Sequence, residues 1–303
     1  MKFEVTILGS SSATPIFNRN PTSQLLNVNE KFFLIDCGEG TQQQMLRYGI
    51  KAQRIDDIFI SHLHGDHYLG LIGLLSSLHL NGRTKEMNLY GPEALQDILK
   101  VNFDHSQTQL RYPIIFHAVA PEKSCKIFEN YDVIVETIPL EHRIPCTGFK
   151  FTGKKRLPKV IIEKVQEYEI PLEQITRIKK GFAFVDKNGN VHPATEFTIE
   201  PEKPKVYAYC SDTVCNWKYI DLIEEIDLLY HESTFMHDML ERAIETYHTT
   251  AWQAGEIASK ANVKRLLVGH FSARYRDLEP LLLEAQSIFP NTSLALEGCT
   301  FQV

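Results

Sequence analysis

Ser61-His62-Leu63-His64-Gly65-Asp66-His67 directly follows the apolar run Ile58-Phe59-Ile60. Three imidazoles and a carboxylate within the six residues from His62 to His67 are too costly for a packing role, because polar groups removed from water need partners. Metal binding is the property they share. In extended backbone after a strand, residues i and i+2 point the same way, so His62 and His64 can hold one metal. Gly65 then lets the chain turn sharply and brings Asp66 and His67 round to a second metal beside the first. Two ions about 3.5 to 4 Å apart activate water and clamp a phosphoryl or carbonyl oxygen. The stretch therefore predicts a hydrolytic metal site on a loop that leaves a strand.

The rest of the chain is long enough to support such a site. Its 303 residues, 43% of them hydrophobic, can bury a large core in one or two domains. Six cysteines (37, 125, 146, 210, 215 and 299) are scattered without a C-x-x-C pair, which reads as reduced thiols in a cytoplasm. Cys210 and Cys215 flank Asp212, but sulfur ligation is not expected there. Residues 1–9 alternate like a strand rather than a secretory leader, and no apolar run reaches about 18 residues, so neither membrane nor export is expected. The net charge of −6 argues against a general nucleic-acid coat protein, and no DNA partner is expected. Its distribution differs: residues 150–180 carry nine basic side chains against four acidic ones, a balance of +5 that leaves −11 elsewhere.

Along the chain, Phe3–Leu8 reads as a strand, and Leu25–Val28 with Phe32–Ile35 as a hairpin around Asn29-Glu30. Gly38-Glu39-Gly40, between a strand and a short helix, is either an anion-binding turn or a tight turn without a ligand. Tyr68–Leu80 is apolar on most faces and is expected to be a buried helix. His142 follows the strand Val133–Ile138 at a loop position that suits a ligand. The pattern changes from Gly153 to Glu202, with basic residues, five prolines between Pro158 and Pro204, a helical segment at Val160–Tyr168 and a hairpin near Phe182–Val185 and Val191. So long a polar excursion inside a compact domain is functional or disordered. Asp212 ends the strand Lys205–Tyr209, where a carboxylate either caps the next helix or bridges two metals. Repeated strand, polar loop and helix place the functional loops along one sheet edge. Two such halves make an α+β fold, a four-layer αβ/βα sandwich.

His62, His64, Asp66 and His67 resemble the metal motif of the metallo-β-lactamase superfamily. Further stretches resemble the tRNase Z family, endonucleases that trim the 3′ end of precursor tRNA: Asp36-Cys37-Gly38-Glu39-Gly40-Thr41-Gln42, Ser211-Asp212-Thr213, His231-Glu232-Ser233-Thr234-Phe235, His248-Thr249-Thr250-Ala251 and His270-Phe271-Ser272-Ala273-Arg274-Tyr275. The resemblance implies a single catalytic domain over residues 1–303, with residues 153–202 as an inserted flexible arm that holds the tRNA body. It also implies a homodimer in which one subunit's arm serves the other's active site. One zinc would take His62, His64 and His142, the other Asp66, His67 and His270, with Asp212 bridging. A hydroxide between the ions would attack the phosphodiester of precursor tRNA, Asp66 orienting or deprotonating it. His248 would protonate the leaving oxygen while Glu232 holds its ring.

Substrate contacts are expected from Arg19, Phe17, Lys154, Lys155 and Arg156, and Arg274 either clamps a phosphate or forms a structural ion pair. The loop Pro15-Ile16-Phe17-Asn18-Arg19-Asn20 departs from the family's P-x-K-x-R-N pattern, because Phe17 stands at the lysine position. Phe17 either packs under the loop or stacks a base of the 3′ trailer. The same metal centre would also serve a hydrolase of small phosphodiesters or other esters, but such a substrate has no use for a basic arm.

Overall fold

The computed structural model describes residues 2–16, 19–120 and 122–303. Phe17 and Asn18 lie outside the described residues, and with them the question of packing or stacking at Phe17. The chain divides into two compact units, Met1–Thr152 with Lys205–Val303, and Gly153–Pro204.

The larger unit opens with β1 (Phe3–Gly9), β2 (Ser23–Val28), β3 (Lys31–Ile35), α1 (Thr41–Arg47), β4 (Ile55–Phe59), α2 (Gly65–Leu80), β5 (Met87–Gly91), α3 (Ala94–His105) and β6 (Ile114–Ala118). Then come β7 (Lys126–Glu129), β8 (Val133–Leu140) and β9 (Cys146–Gly153). The smaller unit contributes β10 (Lys159–Val160), α4 (Ile162–Glu167), α5 (Leu172–Lys179), β11 (Phe184–Val185), β12 (Val191–His192) and β13 (Thr198–Ile199). The chain returns through β14 (Val206–Cys210), β15 (Leu228–Glu232), α6 (Leu240–Glu245), α7 (Ala251–Lys260), β16 (Leu266–Gly269), α8 (Glu279–Ile288), β17 (Thr292–Leu294) and β18 (Thr300–Gln302).

Two seven-stranded sheets result, ordered β18-β1-β2-β3-β4-β5-β6 and β17-β16-β15-β14-β9-β8-β7. Alternation along the strands decides the layering. In β1, Phe3, Val5 and Ile7 enter the apolar layer between the sheets, where they share a core with Phe149 and Phe151 of β9 and Tyr207 and Tyr209 of β14. Leu8, Leu25, Leu34 and Ile58 point outward under Leu71, Leu74, Leu75 and Leu78 of α2. On the second sheet Ala208, Leu229 and Val268 point outward under Ala254, Ile257 and Ala258 of α7 and Leu281 of α8. Helix, sheet, sheet and helix make four layers, the αβ/βα sandwich. Among the described residues, no helix is long and apolar enough to cross a membrane.

The hairpin of β2 and β3 turns through Asn29 and Glu30, with φ of 50° and 68°, the left-handed pair that a two-residue hairpin loop requires. Two expectations need correction. α2 is not buried all round: Leu69 and Leu80 are 55% and 76% exposed, since the helix covers a sheet with one stripe only. Nor does Gly65 make a sharp loop turn. It is the first residue of α2, after an extended His64 (φ −74°, ψ 143°). Asp66 and His67 therefore occupy a helical first turn, where the carboxylate also suits the positive end of the helix dipole.

The unit Gly153–Pro204 has its own small core of Ile170, Ile178, Phe184, Ala194 and Phe197. This accounts for the apolar residues among the basic ones between Ile170 and Phe184. α5 within it, unlike α4, did not stand out in the sequence, because Pro171 and the short span from Leu172 to Lys179 blur its start and its period.

Candidate metal centre and active site

Both sheets end their parallel strands at the same edge of the larger unit. β3, β4, β5 and β6 are parallel neighbours, as are β14, β15, β16 and β17. In open sheets the crevice beyond the carboxyl ends of such strands is where ligands sit. His62 follows β4, Asp212 follows β14, Glu232 ends β15 and His270 follows β16. A cavity of about 340 Å³ opens there, lined among others by Ala13, His64, Asp66, Asp212, His248 and His270.

The donor atoms converge in two principal groups, His62, His64, His142 and Asp212 in one and Asp66, His67 and His270 in the other, and Asp212 and His270 also converge with His248. In the first, His64 Nδ1 lies 3.2 Å from His62 Nε2 and 3.1 Å from His142 Nε2. Asp212 Oδ2 lies 3.6 Å from His62 Nε2 and 3.8 Å from His142 Nε2. In the second, His67 Nε2 and His270 Nε2 are 3.3 Å apart, with Asp66 Oδ2 3.5 and 3.4 Å from them. Asp212 Oδ1 is 3.3 Å from His67 Nε2 and 3.1 Å from His270 Nε2. Asp212 thus turns one oxygen to each group.

These separations are a test of fit. Nitrogen donors at about 2.0–2.1 Å from a tetrahedral zinc stand roughly 3.3–3.4 Å from one another, close to the spacings seen. The charge agrees. Burial opposes a proton on His67, yet Asp212, Asp66 and Asp36 lift its pKa well above the ordinary value. So much buried anion requires a cation. In the other group, burial holds His62, His64 and His142 below the usual imidazole range, which favours the neutral form that ligates. The residues fit divalent metal.

Behind the donors stand residues that fix ring orientation. His67 Nδ1 donates to Asp36 Oδ2 at 2.7 Å. Asp36, fully buried, also accepts from Ser61 N–H at 2.7 Å, Ser61 Oγ at 2.8 Å and Tyr209 OH at 2.6 Å. His270 Nδ1 is 2.9 Å from Thr234 Oγ1. His142 Nδ1 donates to the Tyr247 carbonyl at 2.9 Å. Ala13 N–H donates to Asp66 Oδ2 at 2.7 Å. Sequence reasoning quoted Asp36 and Thr234 within motifs without giving them a role, and it passed over Ala13 and Tyr247. A shared backbone feature marks four of these positions: Ala13, Asp36, Tyr247 and His270 have φ of 58°, 54°, 58° and 59°. Left-handed backbone is strained for non-glycine residues, at about 1–3 kcal/mol each, and collects where function over-determines the geometry.

Glu232, fully buried, lies 2.9 Å through Oε1 from His248 Nδ1. Burial disfavours charge on His248, but Glu232 outweighs it by charge and hydrogen bond and raises the pKa to about 9. Glu232 Oε2 is held by Thr234 Oγ1 at 2.6 Å. The Gly38-Glu39-Gly40 turn has another use than anion binding. Gly38 N–H donates to the Thr22 carbonyl, and a Cβ on Gly70 of α2 would lie 2.1 Å from the Gly38 carbonyl oxygen. These glycines let α2 lie against the loop that carries Asp36.

The remaining expected residues belong to no donor group. Arg19 is partly buried, with Nη2 2.8 Å from the Tyr275 carbonyl. Arg274 is exposed over the Phe235 ring, 5.1 Å from its centroid, and donates to Ser272 Oγ. Neither forms an ion pair among the described residues. Lys154, Lys155 and Arg156 belong to the smaller unit, where Lys155 Nζ is 3.7 Å from Glu200 Oε2. Cys210 is buried and its thiol is pushed above its ordinary range by that burial; no cysteine joins the donor groups.

Residues 3–158 match the model of the family described as anti-Pycsar protein Apyc1; that match ends before Asp212, Glu232, His248 and His270. Over the whole chain, the protein is 45% identical to Ribonuclease Z of Bacteroides fragilis, covering 98% of both chains. It is 46% identical to Ribonuclease Z of Cytophaga hutchinsonii, covering 100% of this chain and 97% of that one. Its structure resembles that of human tRNase Z, short form, with a TM-score of 0.73, 26% identity and 99% coverage of each chain. The metallo-β-lactamase fold protein YhfI of Bacillus subtilis, 19% identical with a TM-score of 0.70 and full coverage of both chains, shares the fold. The chain belongs to the ribonuclease Z family, metallo-β-lactamase-fold endoribonucleases of tRNA 3′ processing.

Proposed function

We propose that this protein removes the 3′ trailer of precursor tRNA by hydrolysing one phosphodiester at a centre of two zinc ions. The observation that carries the reading is Asp212, whose two oxygens face two separate donor groups at the cavity that His248, backed by the buried Glu232, also lines. His62, His64 and His142 would hold one ion, Asp66, His67 and His270 the other, with Asp212 shared. When bound, the ions supply activation of water and neutralisation of charge on the phosphate. Asp66, fixed by the Ala13 N–H, orients the attacking water and draws off its proton. His248, kept protonated by Glu232, gives a proton to the 3′ oxygen as the P–O3′ bond breaks. The products are a tRNA with a free 3′ hydroxyl and a trailer with a 5′ phosphate.

The unit Gly153–Pro204 would hold the body of the tRNA, with Lys154, Lys155 and Arg156 among its phosphate contacts, and would serve the active site of a partner subunit in a homodimer. Arg19 and Arg274 border the substrate path in this reading. A cytoplasmic setting agrees with six free cysteines.

The test is single-turnover cleavage of a precursor tRNA beside hydrolysis of bis-p-nitrophenyl phosphate, with metal content measured on the same protein. Two zincs per chain and a cut at the 3′ end of the mature tRNA are expected. Deleting Lys154–Lys180 is expected to abolish tRNA cleavage and spare the small diester. Equal loss of both activities would remove the arm from tRNA binding, and turnover of the diester alone would replace the tRNA reading with that of a small-phosphodiester hydrolase.

A further inference from the structure

We propose that Arg143 and the cavity behind it form a nucleotide subsite, in which Arg143 binds a phosphate next to the scissile one and the cavity receives the flanking nucleotide. The inference rests on precursor tRNA being the substrate. Arg143 is the single Lys or Arg among the described residues that line the catalytic cavity. It lines a second cavity as well, of about 510 Å³, whose wall includes Leu140, Ile144, Pro145, Cys146, Tyr219 and Leu222. A polynucleotide leaving the scissile position toward that side passes Arg143 to enter the second cavity.

Three features suit such an occupant. First, the guanidinium is available: Arg143 is exposed, and no hydrogen bond or ion pair engages it among the described residues. The other polar residues of the second cavity are Glu122, Glu141, His142, Asn216, Lys218 and Tyr219, and Lys218 and Asn216 are both turned onto Glu141, at 2.9 and 3.2 Å. Second, the loop is held on both flanks. Glu141 N–H donates to Thr213 Oγ1 at 3.1 Å and its carbonyl accepts from Val214 N–H at 2.8 Å. His142 is tied to the Tyr247 carbonyl and Thr147 N–H to the Ser61 carbonyl. A charge on a braced loop meets its phosphate with little ordering cost. Third, the cavity walls are aliphatic in part, and a base offers an apolar face while its phosphate requires a cation. His142 itself faces the metal, so neighbouring residues on one loop would serve metal and substrate.

The experiment compares wild type, Arg143→Ala and Arg143→Lys on three precursor tRNAs. One is unmodified, and the others carry an uncharged methylphosphonate at the first linkage on the 5′ or on the 3′ side of the cut. On the unmodified precursor, Arg143→Ala is expected to raise KM about tenfold, the size of one charged hydrogen bond, with kcat and zinc content little changed. Arg143→Lys is expected to recover part of the loss, because lysine keeps the charge without the fork. The salt slope of binding is expected to fall by about 0.7, one single-strand phosphate contact. With one of the two methylphosphonates the wild type and Arg143→Ala are expected to converge, since the partner charge is already gone. An Arg143→Ala penalty that persists on both modified precursors, or none on the unmodified one, overturns the subsite while leaving the tRNA reading intact. Failure of the wild type to cut the unmodified precursor removes the tRNA reading and the subsite together.

Discussion

The two halves of the metal centre share one cavity and one bridging aspartate, but they are built in opposite ways. His62, His64 and His142 form an all-imidazole group in which the rings of His62 and His142 are buried and His64 is only partly so. Asp66, His67 and His270 mix a carboxylate with imidazoles, and both histidines are buried. Behind the first stand a carbonyl at His142, with Ser61 Oγ and Cys146 Sγ near His62 Nδ1 at 3.0 and 3.6 Å. Behind the second stand the Asp36 carboxylate and the Thr234 hydroxyl. A carboxylate partner makes its imidazole a more basic ligand than a neutral partner does. One group thus has carboxylates beside and behind its imidazoles and the other has only neutral partners behind its own, so an ion held by the first would meet the stronger fixed charge.

Removing what the halves share is expected to have the largest effect. Asp212→Ala takes one oxygen from each group and leaves hydrolysis below detection, with one or both metals lost on elemental analysis. An active Asp212→Ala protein with a single tightly held metal would break the comparison, since the two halves could not then be partners. Next in size is His248→Ala, which leaves Asp212 and all six donors of the two halves in place and is expected to slow tRNA cleavage by about 10² to 10⁴-fold at unchanged metal content, as general acids do. Kinetics on a diester with a good leaving group give the check: a fall as large as that on tRNA means His248 is not the acid.

A smaller change is expected from Asp36→Ala, which sharpens the contrast between the halves. Metal affinity at the Asp66/His67/His270 position is expected to drop about 10 to 100-fold, with the His62/His64/His142 position little altered. Titration calorimetry on metal-free protein resolves the two, and an equal loss at both would mean that Asp36 supports the whole loop rather than one ligand. Smallest is Glu232→Gln. Glu232 raises His248 to about 9, so the acid form persists through neutral pH and is lost as pH rises through that region. Bound cations nearby draw this value down. Without the carboxylate, His248 loses its proton at lower pH, and the alkaline limb of the pH–rate profile is expected to move to lower pH. A stationary limb would assign it to another group.

The same contrast separates what the sequence makes legible from what it hides. His62 to His67 could be read directly, because four donors fall within six residues after a strand. Asp212 and His270 were legible only through their order among strands and the family likeness, since each is a lone residue at the end of its own strand. Ala13, Asp36 and Tyr247 carry no local sign of their part. Each acts through a left-handed φ or a bond to a residue far along the chain, such as Ala13 to Asp66, and no periodic pattern encodes either. The sandwich followed from the repeat of strand, polar loop and helix, although the eight-residue β9 was not read as a strand. Nor were the short strands β7, β17 and β18, because three or four residues hold too little of a period-two pattern. The start of α2 was misplaced because Gly65 reads as a turn residue when nothing shows that a helix covers the sheet there.

The first sheet closes with the last strand, where β18 pairs with β1 and Thr6 meets Thr300 across 294 positions of chain. During synthesis, at roughly 5–20 residues per second, β1 waits for its edge partner while the 294 positions from Thr6 to Thr300 are made. His270, which would be a ligand of the proposed second ion, also arrives late. With that role, the nascent chain on a ribosome, surrounded by tRNA, would have no completed centre with which to cut it.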